Sequence, residues 1–532
     1  KGESGKHIAI ACDSQAKAKV IAEMARQIEG AQVLEIHSDT SGGELEAEFI
    51  RHPDQYLSYQ DKPLLLVYSP SLGTGVSIES QNIAHVFGVF QGASISDTDI
   101  LQMLGRVRIA CPRSVWVARK GTAYSRLGRS KSPAAIKEEL RIMATVTASA
   151  IRCELTETAY SGLTSFDWED DPHIEAYAQI EAARNRAMPN LRARVVYRLK
   201  AEGNRIGMRN EWESLPTALA MKATREQLEL AEAKAVASRD DIDEVTAALL
   251  AAKESPTIEE RQALSKYHLA DFYCAEVTAQ LILDDKKGRT RSEAKSFEEL
   301  MDKSLAVKRD VSAIEAQLKW GDVLMPQDVR SGALAAEVRL LLGLDKWIAR
   351  EDSWASNSKE LADFKELCLR ERVQLSIKRA LGYTVKADAT PQQILGDLLR
   401  QVGVRTESEL KQVDGERQRL YHIDASKLAQ QRALTERRAQ KRLKAEQGKE
   451  SAPNLESDHP LEKVITPPHL NKTTQGGDHF SEKDQSSEDK TLQKRSDYGA
   501  PPPKNDQLAL AGVTPSILDD DFYDESAWRK HR

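Results

Sequence analysis

The stretch that decides the fold runs from Leu64 to Arg119, LLLVYSPSLGTGVSIESQNIAHVFGVFQGASISDTDILQMLGRVRIACPRSVWVAR. It opens on an apolar run, Leu64 to Tyr68, which is short and bounded and so reads as a buried strand. Ser69-Pro70-Ser71-Leu72-Gly73-Thr74-Gly75-Val76-Ser77-Ile78 follows. A Gly-x-Gly after a strand makes a tight turn where backbone and small hydroxyls approach a phosphate closely. Taken alone such a turn is weak, since most are plain turns. Asp97 to Leu104 reads as a short helix, and Gly105-Arg106-Val107-Arg108 comes at its end. Two guanidinium forks placed there can reach into a cleft.

Working outward, strand and helix signals alternate from Lys6 to Arg119. Strands are predicted at 7–12, 33–36, 64–68, 84–89 and 115–118. Helices are predicted at 15–29, with Ser14 as cap, and at 44–51 and 97–104. Such alternation predicts a mainly parallel sheet with helices on both faces. Ligands then bind outside the carboxyl ends of the strands, where Asp13, His37, Ser38 and Ser69 fall. His37 has two open readings there, as a phosphate or backbone contact and as a hydrogen-bonded loop histidine. The opening Gly2-Glu3-Ser4-Gly5-Lys6 is not read as a phosphate loop. No strand precedes it, and His7 stands where a magnesium-holding Ser or Thr belongs.

The two motifs together, in this order and strand context, resemble motifs V and VI of superfamily 2 helicases, carried by the second RecA-like domain. There are two departures. The second arginine comes one residue early, in Gly-Arg-Val-Arg, with Ile109 in the usual slot. Ser77 stands at the acidic position of motif V. Both departures are shared by herpesvirus origin-binding helicases and by the cyanobacterial-type plasmid replication proteins related to them. SPSLGTGVSIE, FGVFQG and QMLGRVR look most like the plasmid group. The resemblance implies a RecA-like helicase C-terminal domain at 1–125, acting with ATP and Mg2+. It implies catalytic roles for Arg106, Arg108 and Gln102 and a nucleotide-cleft lining from Gly75, Ser77 and Gly105. DNA contact falls to Ser69, Ser71, Gly73 and Thr74, with His37 and Ser38 as further candidates.

Phosphoryl transfer needs a phosphate cradle and a magnesium ligand, and neither pattern is seen. The expectation is therefore a C-terminal piece whose ATP and Mg2+ are held mainly by a preceding domain. The resemblance implies an ATP-dependent helicase or origin-binding protein that initiates plasmid replication. A DNA-binding module without catalysis and a translocase outside replication stay open.

The chain has 532 residues, which predicts several domains. Its net charge of -6 means that a nucleic-acid site has to be a local patch. The cysteines (Cys12, Cys111, Cys153, Cys274, Cys368) are scattered without metal spacing, which fits a reduced, cytoplasmic chain with no metal site. No apolar run approaches the roughly 20 residues of a membrane span.

Residues 126–410 read as a mostly helical region, with nucleic acid as one possible partner. Helical runs are predicted over 174–203 (interrupted at Pro189), 218–253, 256–283, 297–319, 332–349 and 359–381. Arg192, Arg194, Arg198, Lys200 and Arg205 give one segment a basic side, read either as a DNA contact or as a solvated face. Tyr267, His268, Phe272 and Tyr273 read as core more readily than as a stacking platform. Thr390-Pro391 opens a helix that fits a helix-turn-helix or winged-helix element among other arrangements. Residues 411–446 read as a charged helix or basic arm carrying Arg432, Arg437, Arg438, Lys441, Arg442 and Lys444. Residues 447–532 are too polar to offset chain entropy and read as a disordered tail. Its acidic end, Ser516 to Asp524, is a candidate docking peptide for replication partners.

Overall fold

The computed structural model describes residues 6–40, 43–72, 75–164, 168, 171–209, 215–253, 256–318, 331–413 and 416–450. Gly73, Thr74 and the tail beyond Glu450 lie outside these. The described residues up to Lys444 belong to one compact unit.

A parallel sheet is built from β1 (His7–Cys12), β2 (Gln32–Ile36), β3 (Leu64–Tyr68), β4 (Ile83–Phe90) and β5 (Arg113–Val117), in the order β2-β3-β1-β4-β5. Between them run α1 (Gln15–Arg26), α2 (Glu44–Arg51), α3 (Pro53–Ser58) and α4 (Asp97–Leu104). The side-chain oxygen of Ser14 accepts from Lys17 N and caps α1. Pro53 at the first helical position starts α3, a helix not foreseen.

The period-2 alternation of β3 divides its side chains between two cores. Leu64, Leu66 and Tyr68 pack with Phe49 of α2, Leu57 of α3 and Ile100 and Met103 of α4. Val67 packs with Ala18 and Ala22 of α1 on the other face. Helices therefore lie on both faces, but incompletely. Beside α1, the β4–β5 end of the sheet leaves Phe87 38% and Trp116 48% exposed, with His85 stacked on Phe87 at 4.3 Å.

Downstream, α5 (Pro133–Ala150), α6 (Glu157–Thr164), α7 (Pro172–Ala187) and α8 (Leu191–Ala201) follow. Met188, Leu191 and Val195 sit in the sheet's own core, so α8 belongs to the α/β module beyond the expected boundary at 125. Asn185, fully buried, ties the preceding loop. Its Oδ1 accepts from Ser125 N (2.9 Å), and its Nδ2 donates to Gly128 O (2.9 Å) and Ser130 O (2.7 Å).

The remaining helices are shorter than the sequence pattern suggests. They are α9 (Leu215–Ala237), α10 (Glu244–Ala252), α11 (Ile258–Tyr273), α12 (Ala279–Asp284), α13 (Arg289–Met301), α14 (Lys303–Leu318), α15 (Gly332–Leu341), α16 (Leu344–Ile348), α17 (Lys359–Leu369), α18 (Glu371–Leu381) and α19 (Pro391–Arg400). The predicted long runs break where local chemistry stops them. Asp243 caps α10, Cys274 takes a left-handed φ of 49° after α11, and Gly343 takes φ 69° between α15 and α16.

The expected charged helix over 411–446 is only half right. β7 (Thr406–Val413) and β8 (Glu416–Ile423) form an antiparallel hairpin joined to β6 (Trp354–Ala355), in the order β6-β8-β7. The Asp414-Gly415 dipeptide between the strands is a strong hairpin signal set in a highly charged stretch. α20 (Ala425–Glu450) follows and is no free basic arm. Arg438 donates to Glu298 (2.7 Å) and lies 3.9 Å over the Phe272 ring, and Lys441 pairs with Asp271. Among the described residues no helix is long and apolar enough to cross a membrane.

Candidate functional site

The two motifs meet as neighbouring backbones. Ile78 N donates to Arg106 O (2.8 Å) and Arg108 N to Ile78 O (2.8 Å), which pairs Ile78 with Val107 in a parallel bridge. Arg106 Nη1 reaches Val76 O at 3.5 Å. Tyr68, fully buried at the end of β3, donates its hydroxyl to Met103 O (2.9 Å) and fixes the end of α4. Gly75, Ser77, Gly105 and Arg106 thus lie together. Gly75 has φ 102° with open space around it, a conformation that suits glycine alone.

Arg106 is 6% exposed, and its Nε has no hydrogen-bond partner among the described residues. It forms no ion pair with them either. Burial lowers its pKa, with the Tyr68 hydroxyl opposing and Arg108 adding to the effect. Arg108 is exposed and equally without an ion pair among the described residues. Asp97 and Asp99, the acidic residues of nearby α4, are engaged elsewhere. Asp99 accepts from Ser96 N (2.8 Å) in a capping box, and Asp97 accepts from Arg194 (3.0 Å) and Arg198 (2.6 Å). The basic side of α8 therefore folds back on the protein, with Arg192 donating to Val117 O (2.6 Å). Gln102 is exposed. Arg113, not anticipated as a site residue, donates to Val107 O (2.7 Å) and braces the loop that carries the arginines.

The chain turns to opposite sides of the sheet after β1 and after β4, so the switch point lies between them. Asp13 occupies it. Its Oδ2 accepts from Gln91 N (2.7 Å) and Gly92 N (2.6 Å), while Oδ1 is buried without a partner among the described residues. The protein's own carboxylate fills this nest of backbone N–H groups at the carboxyl ends of β1 and β4, the region where open parallel sheets bind ligands. Burial pushes the Asp13 pKa up, against the Gly92 N–H and the Lys17 charge, which lower it.

The other strand ends make contacts of their own. His37 is 1% exposed, and its Nδ1 accepts from Asp39 N (3.2 Å). Burial lowers its pKa, opposed by Glu35. These contacts are those of a hydrogen-bonded loop histidine, while its Nε2 has no hydrogen-bond partner among the described residues. Ser38 donates to Gln15 (2.8 Å), and its carbonyl accepts from Arg261 (3.0 Å). Ser69 is buried and its oxygen accepts from Ser71 N (3.3 Å), so it shapes the turn, while Ser71 is exposed. Ser77 donates to Glu79 (3.4 Å), which brings a carboxylate near the motif position that lacks one. No cluster of His, Cys, Asp or Glu able to hold a metal ion occurs among the described residues. No family model, curated protein or solved structure matches this chain.

Proposed function

We propose that residues 6–119 act as the second RecA-like domain of a superfamily 2 ATP-dependent DNA helicase. The domain presents motif V to DNA and the arginines of motif VI to ATP bound with Mg2+ on another RecA-like domain. The observation that carries this reading is Arg106. A buried guanidinium with no carboxylate and a vacant Nε is costly by itself, and a phosphate oxygen satisfies it. Asp13 in the switch-point nest supports the division of labour, because the nest at these strand ends is filled by the protein's own carboxylate. Plasmid replication as the setting, and replication proteins as partners of the tail, rest on the sequence resemblance.

The test is ATP turnover with saturating single-stranded DNA, in protein containing the phosphate-loop domain. An arginine finger contributes about 10³–10⁵ in rate, and lysine cannot reproduce its fork. Arg106→Lys is expected to lose most of that while ATP binding stays. Turnover close to the parent's in both Arg106→Lys and Arg108→Ala would overturn the assignment.

A further inference from the structure

The β7–β8 ribbon is exposed over most of β7 and at Arg417 and Arg419. Register sorts its side chains onto two faces. On one face Glu407 stands opposite His422 and Glu409 opposite Leu420, with Lys411 beyond. There Lys411 lies 2.5 Å from Glu409, and His422 lies 3.4 Å from Glu407. The other face starts in the core. Ile423 is buried opposite Thr406, whose oxygen accepts from Gln392 (3.3 Å), and Trp354 donates to Gln392 (2.8 Å). Past Tyr421 the same face leaves the protein as Leu410 opposite Arg419 and Gln412 opposite Arg417. Among the described residues neither arginine has an ion pair and this face carries no carboxylate beyond Tyr421, and Leu410 is 66% exposed.

We propose that this face binds duplex nucleic acid, with Arg417 and Arg419 on backbone phosphates and Leu410 against the groove wall. A two-stranded ribbon matches a major groove about 12 Å wide, and guanidinium forks suit phosphate oxygens. Residues two apart on a strand share a face about 6.8 Å apart, so both forks point the same way. An acidic protein segment is the competing occupant. It would most easily pair along the free edge of β7, and there it would meet the carboxylates of Glu407 and Glu409. The proposal does not rest on the helicase reading.

The experiment is fluorescence anisotropy on a labelled DNA duplex of about two helical turns, without nucleotide, across a salt series. Removing one phosphate-binding side chain lowers the slope of log K against log salt by about 1. Arg417→Ala with Arg419→Ala is expected to lower it by about 2. Lys411→Ala, on the opposite face and paired with Glu409, should leave it unchanged. Leu410→Ala should weaken binding with the slope intact. If the double variant melts early, the single Arg→Gln variants must each show a drop of about 1. An unchanged slope in folded variants overturns the proposal. So does loss of binding to a poly-glutamate peptide with the DNA slope intact, which would make the ribbon a protein-docking face. Turnover by Arg106 variants is a separate readout, so either assignment can fail alone.

Discussion

Removing both Arg194 and Arg198 should cost more than the sum of removing each. The two guanidiniums share Oδ2 of Asp97, whose side chain is 4% exposed, while their own side chains are 37% and 39% exposed. A hydrogen bond to a charged group contributes about 1.5–3 kcal/mol when well desolvated. Half-exposed arginines keep part of their hydration, so each single Arg→Ala is expected to cost about 0.5–1 kcal/mol. Either arginine still neutralises the carboxylate when the other is gone. With both gone a buried charge is left unpaired, at about 3–5 kcal/mol. Asp97 stands in the first turn of α4, where the helix N-terminus returns up to about 1 kcal/mol. The double variant should therefore lose about 2–4 kcal/mol, a non-additivity of about 1 kcal/mol or more. Native-state hydrogen exchange at α4 and α8 amides reads this as local opening free energy. Adding Asp97→Asn to the double variant should recover most of the loss. Strictly additive costs, or no recovery from the Asp97→Asn substitution, would refute the shared-carboxylate account.

Two further outcomes follow from the switch point. Asp13 has a raised pKa in the folded protein, so ionisation opposes folding. The penalty is absent below the ordinary carboxylate range, sets in as pH rises through it, and is complete once pH passes the folded value. Asp13→Asn keeps an acceptor for Gln91 N and Gly92 N, so its melting temperature should gain on the parent as pH rises from about 4 to about 7; parallel curves would exclude the effect. Gly92 has φ 68°, and a Cβ there would lie 2.3 Å from Leu191 Cδ2 and 2.9 Å from Gly121 Cα. Gly92→Ala should cost about 2–5 kcal/mol from left-handed strain plus overpacking, partly relieved by Leu191→Ala in a thermal-melt cycle. A melting temperature equal to the parent's would show that the α8–loop contact is soft.

The sheet was legible because its signals are local and agree. HIAIAC and LLLVY are short apolar runs, Ser14 precedes a helix, and the order of elements requires parallel crossovers. Adjacency of Val76–Ile78 and Arg106–Arg108 was legible only through the motif resemblance, since no periodicity relates two loops. What stayed hidden was tertiary. Nothing local says that Asp97 belongs to Arg194 and Arg198, although their i,i+4 spacing on α8 does place both on one face. His37 ends a strand like a ligand-binding residue, yet burial turns it into its own loop. The β7–β8 hairpin was hidden differently. Its polar strands lack the apolar alternation that marks a half-buried strand, and only the Asp-Gly turn gives them away.

The latch on Asp97 has a mechanical consequence that burial alone would not produce. α4 is held at both ends, by Arg194 and Arg198 at its first residue and by the Tyr68 hydroxyl on Met103 O near its last. The segment that follows is stitched to Ile78 and braced by Arg113. Arg106 therefore sits on a support fixed from β3, from the Val76–Ile78 segment and from α8. On the proposed reading, that rigidity keeps a buried, unpaired guanidinium aimed, and avoids its collapse onto a carboxylate such as Glu79 beside Ser77. Loosening the support with Tyr68→Phe removes one hydroxyl bond without removing the ring. It should lower turnover per folded molecule, measured well below the melting temperature, and a lowered melting temperature with that turnover unchanged would mean that the bond serves folding only.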